Sequence, residues 1–320
     1  MSLYETAEKI RTMEIRGAGK IARAAVEALK DHDHTVDASS LERYLQEMER
    51  AAGTLLATRP TAVSLPNALH FVMNSVRRAA SLDEARRALH SRADAFIASS
   101  TTAVERIGEI GARHISDGDV LMTHCNSQAA LACILEAHRQ GKEVEVFATE
   151  VRPRNQGLLT IRALNDAGIP TRYIVDSAAR SFMNDIDLVI VGSDAIAVNG
   201  AVVNKIGTSQ IALAAHEART NLVVAAETYK FAPRTILGEL IEIEERDPGE
   251  VLAADIAGAL RHVTVHNPAF DVTPAEYVDL IVTEQGAFPP ELAYVIIREY
   301  LGWDIEEFQK IFEIDHQDQE

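Results

Sequence analysis

The chain reads as an α/β protein in which an N-terminal all-helical domain precedes a Rossmann-like domain with a mostly parallel sheet covered by helices. Three observations predict this. Residues 1–105 carry apolar residues three and four apart and contain no β-rich run. Beyond residue 119, short β-branched runs alternate with helical stretches. Those runs are apolar throughout rather than at every second position. A strand buried on both faces belongs to a parallel sheet between helical layers, whereas a sheet with one wet face would alternate. The pattern changes near "GARHISDG", which puts a helical domain at 1–112 and the Rossmann-like domain at 113–320.

The elements follow in order. "SLYETAEKIRTMEI", "GKIARAAVEALKDH", "SLERYLQEMERAAGTLLATRP", "SLPNALHFVMNSVRRA" and the long "SLDEARRALHSRADAFIASSTTAVERIGEIGARHI" each place their apolar residues on one helical face. Ser81 and Glu84 have the spacing of a capping box at the start of the last. The predicted strands are "DVLMTH", "EVEVFA", "TRYIV", "DLVIVG", "NLVVAA", "HVTVH" and "DLIVTE". Between them lie the helical stretches "SQAALACILEAHRQG", "NQGLLTIRALNDAG" and "NKIGTSQIALAAHEAR".

Length and charge bound the function. At 320 residues, with 47% hydrophobic and 25% charged, the chain can bury two sizeable cores. A net charge of −17 argues against a general nucleic-acid binder, and means that any anionic ligand must be met by locally concentrated cations. The opening "MSLYETAEKI" lacks the basic-then-apolar order of a signal peptide, and no apolar run reaches transmembrane length, so a cytoplasmic protein without a membrane partner is expected. Cys125 and Cys133 form neither a zinc pattern nor a disulfide framework, and the histidines are scattered, so no protein-held metal is expected. No G-x-S-x-G elbow of a hydrolase is present.

In such a sheet, ligands bind beyond the carboxyl ends of the strands. Cys125 follows the first strand, between His124 and the polar Asn126, Ser127 and Gln128. It reads either as a small buried hydrophobe or as a thiol that the next helix start would bias toward thiolate. Cys133, inside "AALACILEA", reads as core. Asp194 follows "DLVIVG", and the Asn199-Gly200 turn would fold the chain back so that Asn204, Lys205 and Thr208 open a helix beside the same strand end. A lysine at a helix start opposes the dipole and suggests a nearby anion; a surface lysine is the alternative. In "EIRGAGKIARAA", Arg16 and the backbone of Gly17, Ala18 and Gly19 resemble a phosphate cradle, although glycines for helix packing fit equally. Arg59 in "ATRPTAVSLPNA", with a loop stiffened by Pro60 and Pro66, together with Arg152 and Lys230, are further candidate phosphate ligands.

Taken together, "RGAGKIARAA", "TRPTAVSLPNAL", "LMTHCNSQAAL", "EVRPRNQG", "GSDAIAVNGAVVNKIGTSQIALAA", "ETYKF" and "NPAFDVTPAEYVDLIVTEQG" resemble one family over about residues 8–303. That family joins methylthioribose-1-phosphate isomerase, ribose-1,5-bisphosphate isomerase and the regulatory subunits of initiation factor 2B. "THCNSQ" and "GSDAIAVNGA" look like the archaeal ribose-1,5-bisphosphate branch rather than the methylthioribose branch with its "THCNTG" and "GADRIAANGD". The resemblance implies an isomerase that converts ribose 1,5-bisphosphate to ribulose 1,5-bisphosphate in archaeal AMP degradation. Cys125 and Asp194 would be its acid/base pair, and Arg16, Gly17, Ala18, Gly19, Arg59, Arg152, Asn204, Lys205 and Lys230 would bind substrate. It implies no cofactor, AMP as an allosteric activator, and homo-oligomers built from dimers, with a hexamer as the larger form. The other branches supply the alternatives: another aldose-1-phosphate isomerase such as the methylthioribose enzyme, or a non-catalytic regulatory protein.

Overall fold

Ser2 starts the first helix with both halves of a capping box: its hydroxyl accepts from the Glu5 N–H at 3.3 Å, and the Glu5 carboxylate accepts from the Ser2 N–H at 2.9 Å. The computed structural model describes residues 1–303 apart from 13, 16 and 60–62, and these residues form two compact units. The first holds α1 (Leu3–Arg11), α2 (Ala18–His32), α3 (Leu41–Leu56), α4 (Ser64–Arg77) and α5 (Leu82–Gly111) as far as Ala103, with 229–231 and 298–303. The apolar faces read from the periodicity meet in its core, where Ile10, Leu29, Met48, Leu55, Leu69 and Met73 are fully or almost fully buried. Ser81 accepts from the Glu84 N–H at 3.3 Å, but the Glu84 carboxylate takes the N–H of Ala80 at 2.9 Å, so the box closes one residue early. Asp33 is buried among its partners, accepting from the Tyr44 hydroxyl at 2.8 Å and facing His90 at 2.9 Å and Arg86 at 3.2 Å. A buried carboxylate is stable only when so paired.

The second unit comprises 104–228 and 232–297. Its elements, in chain order, are β1 (Val120–Thr123), α6 (Gln128–Arg139), β2 (Glu145–Thr149), α7 (Gly157–Asp166), β3 (Thr171–Ile174), α8 (Ala179–Phe182), β4 (Leu188–Gly192), β5 (Ala195–Ala197), β6 (Val202–Lys205), α9 (Thr208–Ala218) and β7 (Asn221–Ala225). The two-residue β8 (Phe231–Ala232), α10 (Ala254–Ala259), β9 (Phe270–Thr273), β10 (Leu280–Thr283), β11 (Gly286–Phe288) and α11 (Ala293–Glu299) complete the series. The large sheet has the order β11-β10-β7-β4-β1-β2-β3, with every neighbouring pair parallel except β10 and β11. This is the α/β architecture expected from the sequence. The chain builds outward from β1 through β2 to β3, then returns to lay β4, β7 and β10 on the other side. The strand order therefore reverses between β1 and β4.

Two features depart from the reading of the sequence. A second, antiparallel sheet in the order β8-β5-β6-β9 branches off just after β4. Its β5–β6 hairpin turns at Asn199-Gly200, where Gly200 has φ +82° and the Ala197 N–H donates to the Ala201 carbonyl at 2.8 Å. The predicted strand "HVTVH" does not form; His262 to His266 carry no strand, and Val263 is 55% exposed. β-branched residues favour a strand only where a neighbour supplies a ladder, and β6 is paired instead by β9, seven residues after Val263.

Candidate active site

The reversal between β1 and β4 determines where the two candidate acid/base residues stand. Cys125 comes two residues after β1, and Asp194 two residues after β4, so both lie beyond the carboxyl ends of adjacent central strands, at the topological switch point. Parallel neighbours lie about 4.8 Å apart, which brings the two loops side by side. The thiol registers the Asp194 charge directly.

Cys125 occupies a tight turn. Its φ is +68°, in the left-handed region that costs a non-glycine residue about 1–3 kcal/mol. The turn is held by the Thr160 hydroxyl, which donates to the Cys125 carbonyl at 2.7 Å, and by Ser127, whose hydroxyl caps α6 by accepting from the Ala130 N–H at 3.2 Å. Gly192 makes room for that cap: a Cβ there would stand 2.3 Å from Ser127 Oγ. Cys125 Sγ lies 3.7 Å from Gln156 Oε1.

The thiolate expected at this helix start is not favoured in the structure. Burial pushes the thiol up to about 11, and the Asp194 and Asp176 charges add to it, against the Asn126 N–H and Lys205. Desolvation of the partly buried sulfur outweighs the Asn126 N–H beside it. The expected consequence is slow alkylation of Cys125 by iodoacetamide at pH 7.5 in the substrate-free protein, accelerating about tenfold per pH unit toward pH 11 as the thiolate fraction grows. A pH-independent rate between 7 and 9 would contradict it. Cys133 is core, as read: it is fully buried against Gly111 and pushed up to about 12, so it should stay unmodified.

His124, one residue before the thiol, was not singled out by sequence. It is fully buried, its Nε2–H donates to the Ile206 carbonyl at 2.9 Å, and its Nδ1 accepts from the Thr149 hydroxyl at 2.6 Å. Burial lowers its pKa, so the ring is neutral. One imidazole thus ties the ends of β1 and β2 to the loop before α9. Gly207, with φ +102°, lies flat against the ring; a Cβ there would approach it to 3.0 Å.

Asn204 and Lys205 close β6 rather than opening a helix, and Thr208 alone of the three starts α9. The Asn204 amide donates to the Thr208 hydroxyl at 3.0 Å, which in turn donates to the Lys205 carbonyl at 2.7 Å. The anion at the start of α9 is the protein's own: Asp271 of β9 accepts from the Gly207 N–H at 2.7 Å and the Ser209 N–H at 3.1 Å. Burial nevertheless pushes the Asp271 carboxyl up to about 6, against those two amide donors. Lys205 is 8% exposed, donates to the Ala269 carbonyl at 2.9 Å and rests 4.7 Å from the centre of the Phe270 ring. Burial, followed by the nearby Arg246, lowers its pKa, while Cys125 and Asp194 oppose the shift. Lys205 is therefore electrostatically linked to both members of the pair. Asp194 itself is exposed. Its main-chain N–H donates to the Val203 carbonyl at 2.9 Å, which fixes its position beside β6.

The loop from Val151 to Gln156 forms a further wall. Asp176 accepts from the Val151 N–H at 2.8 Å and the Arg152 N–H at 2.9 Å. Gly157 allows the loop to pack on β2, because a Cβ there would meet the Thr149 carbonyl oxygen at 2.0 Å. Arg152, Gln156 and Lys205 line one small pocket.

The remaining predicted ligands lie in the first unit. Gly17, with φ +94° and no side-chain cap, precedes α2, and Ala18 is that helix's first residue. Gly19 packs on the Tyr229 hydroxyl, which a Cβ would approach to 2.5 Å. Lys230 sits between Tyr229 and Phe231, whose carbonyls accept from the Asn67 amide at 2.9 and 2.6 Å, so 229–231 is pinned to α4. Arg59 follows α3, its N–H donating to the Leu56 carbonyl at 3.3 Å. Arg16 and Pro60 lie outside the described residues. Among the described residues, no group of three His, Cys, Asp or Glu is placed to hold a metal, and no helix is long and apolar enough to cross a membrane.

A Rossmann-like sheet with a thiol and a carboxylate just past the two strands beside its switch point, preceded in the chain by a helical unit, defines the class of protein. Residues 14–290 match the model of the initiation factor 2 subunit family, and the chain belongs to that family. It is 55% identical to the ribose 1,5-bisphosphate isomerase of Archaeoglobus fulgidus, over 94% of each chain. It is 52% identical to the ribose 1,5-bisphosphate isomerase of Methanocaldococcus jannaschii, over 94% of this chain and 96% of that one. The solved structure of the translation initiation factor eIF-2B from Pyrococcus horikoshii matches with a TM-score of 0.73 at 34% identity, over 90% of this chain and 97% of that one.

Proposed function

We propose that this protein isomerises α-D-ribose 1,5-bisphosphate to D-ribulose 1,5-bisphosphate, with Cys125 and Asp194 at the reacting carbons. The carrying observation is the thiol and carboxylate beyond neighbouring strands β1 and β4, both linked electrostatically to Lys205. Near-end-to-end similarity to relatives bearing this activity in their names supports the substrate. The enzyme works in the cytoplasm on AMP-derived sugar phosphate, is activated by AMP, and acts as a homo-oligomer of dimers.

The substrate's anomeric carbon is tied to phosphate, so its ring cannot open spontaneously to an aldehyde. Asp194 protonates the ring oxygen as the C1–O bond breaks. Its carboxylate then takes the proton of the C2 hydroxyl. Two routes move hydrogen from C2 to C1. In one, Cys125 removes the C2 proton, giving a phosphate-bearing enol, and returns it to C1. In the other, a hydride passes directly and the neutral thiol walls the cavity. The first needs a thiolate beside a carboxylic acid, which has the same proton count as the resting thiol and carboxylate. One proton exchanged within the pair makes it ready.

The test is a substrate panel with coupled detection of ribulose 1,5-bisphosphate, comparing ribose 1,5-bisphosphate, methylthioribose 1-phosphate and ribose 1-phosphate with and without AMP. Turnover of the bisphosphate, rising with AMP, is the expected result; turnover of methylthioribose 1-phosphate alone overturns the assignment. In D₂O, deuterium at C1 of the product selects the enol route over direct hydride transfer, which cannot introduce it.

A further inference from the structure

Cys125 and Lys205 are carried by different sheets. β1, which leads to the thiol, is laddered to β2 and β4, whereas β6, which ends at Lys205, is laddered to β5 and β9. His124 bridges them. It is the residue before Cys125, and its ring meets the carbonyl of Ile206, the residue after Lys205, at 2.9 Å. A carbonyl only accepts, so Nε2 carries the proton and Nδ1 keeps a lone pair. That lone pair accepts from the hydroxyl of Thr149, the last residue of β2, at 2.6 Å. Both ring nitrogens are thus used, and the ring is fully buried. Gly207 lets the Ile206 loop come this close, since a Cβ there would stand 3.0 Å from Cε1 and 3.1 Å from Nε2.

The charged groups facing the ring are Asp176, whose Oδ1 stands 3.8 Å from Nδ1, and Lys205. Burial first, then Lys205, keep the imidazole neutral against the pull of the Ile206 carbonyl and Asp176. A neutral ring with both nitrogens committed has no proton or lone pair to offer a substrate, so its contribution is geometric. What it holds matters to the thiol, because the Lys205 charge opposes the burial that pushes Cys125 up.

We infer that His124 is a positioning residue of the isomerisation: its Nε2–H bond to the Ile206 carbonyl fixes Lys205 relative to the Cys125 thiol. The inference rests on the reading of Cys125 as a reacting group, proposed above.

Glutamine can place an amide N–H where Nε2 stands, and asparagine reaches only the Nδ1 position. His124→Gln therefore keeps the bond to Ile206, and His124→Asn loses it. In turnover of ribose 1,5-bisphosphate, His124→Asn should lower kcat at least about tenfold, with His124→Gln within about threefold of wild type. A readout independent of substrate is the alkylation of Cys125 by iodoacetamide at pH 9 in the full chain. His124→Asn should be severalfold slower than wild type, because Lys205 no longer supports the thiolate, and His124→Gln should match wild type. Lys205→Met should be slow as well, and adding His124→Asn to it should slow it no further. A merely structural role predicts the opposite sign, since a loosened turn exposes the sulfur and speeds its alkylation. Thr149→Val, nearly isosteric, frees Nδ1 with less disturbance and should show a smaller slowing. Alkylation at or above the wild-type rate in His124→Asn, or in Thr149→Val should the first not fold, would overturn the inference, as would equal kcat in the Asn and Gln variants. Slowed alkylation rescued by glutamine, in a protein that does not turn over ribose 1,5-bisphosphate, would keep the positioning role and sink the reaction assigned above.

Discussion

Asp194→Asn and Cys125→Ser should each reduce kcat on ribose 1,5-bisphosphate by about 10²–10⁴-fold, the usual range for removing a positioned acid or base. Asparagine keeps the shape of the side chain but cannot give up a proton to the ring oxygen. Serine keeps hydrogen-bonding capacity but is far less acidic than a thiol, so it cannot enter the proton exchange with residue 194. Both variants should melt within about 2 °C of wild type, because Asp194 is exposed and serine is nearly isosteric with cysteine in its turn. The double variant should be little worse than the poorer single, since two groups that hand protons to one another fail as a unit. Coupled turnover and thermal unfolding measure both parts. Near-wild-type rates in both single variants would remove the pair from the chemistry. If only Asp194→Asn is inactive, the direct hydride route gains and Cys125 becomes part of the cavity wall.

Gly192→Ala should be almost as damaging by a purely steric route. Its methyl would lie 2.3 Å from Ser127 Oγ and 2.5 Å from Ser127 Cβ, so something must move. The residue displaced caps α6 and lies two positions from Cys125. Overpacking of this kind costs about 1–3 kcal/mol, enough to lower Tm by several degrees. Because reacting groups tolerate little misplacement, kcat should fall at least about tenfold. The second-site change Ser127→Gly removes both clashing atoms, and glycine at an N-cap costs only a few tenths of a kcal/mol. Gly192→Ala with Ser127→Gly should therefore recover most of the stability and part of the rate. No recovery would mean that Gly192 matters for some reason other than contact with the cap.

The large sheet was legible because its central strands are buried on both faces, so unbroken apolar runs such as "DLVIVG" and "DLIVTE" leave no competing periodicity. The same logic misled at "HVTVH", where β-branched residues imitate a strand in a segment that no neighbour pairs. Cys125 and Asp194 could be placed from sequence since each directly follows such a run. Lys205 could not, because an Asn-Gly turn before it and helical spacing after it are equally compatible with a hairpin strand; its pairing with Phe270 lies 65 residues away. Asp271 is hidden for the same reason, meeting Gly207 across 64 residues. The state of the thiol was misjudged because sequence reveals the helix start beside it but not the burial around it.

The left-handed backbone at position 125 acts as a filter ahead of chemistry. Glycine, asparagine and aspartate accept that geometry readily, whereas valine, isoleucine and threonine do not. A saturation library at this position would thus be sorted first by main-chain compatibility, and only the survivors would report on reactivity. An engineer wishing to trade sulfur for oxygen chemistry has a natural opening in aspartate, which brings a carboxylate to the site with little backbone strain.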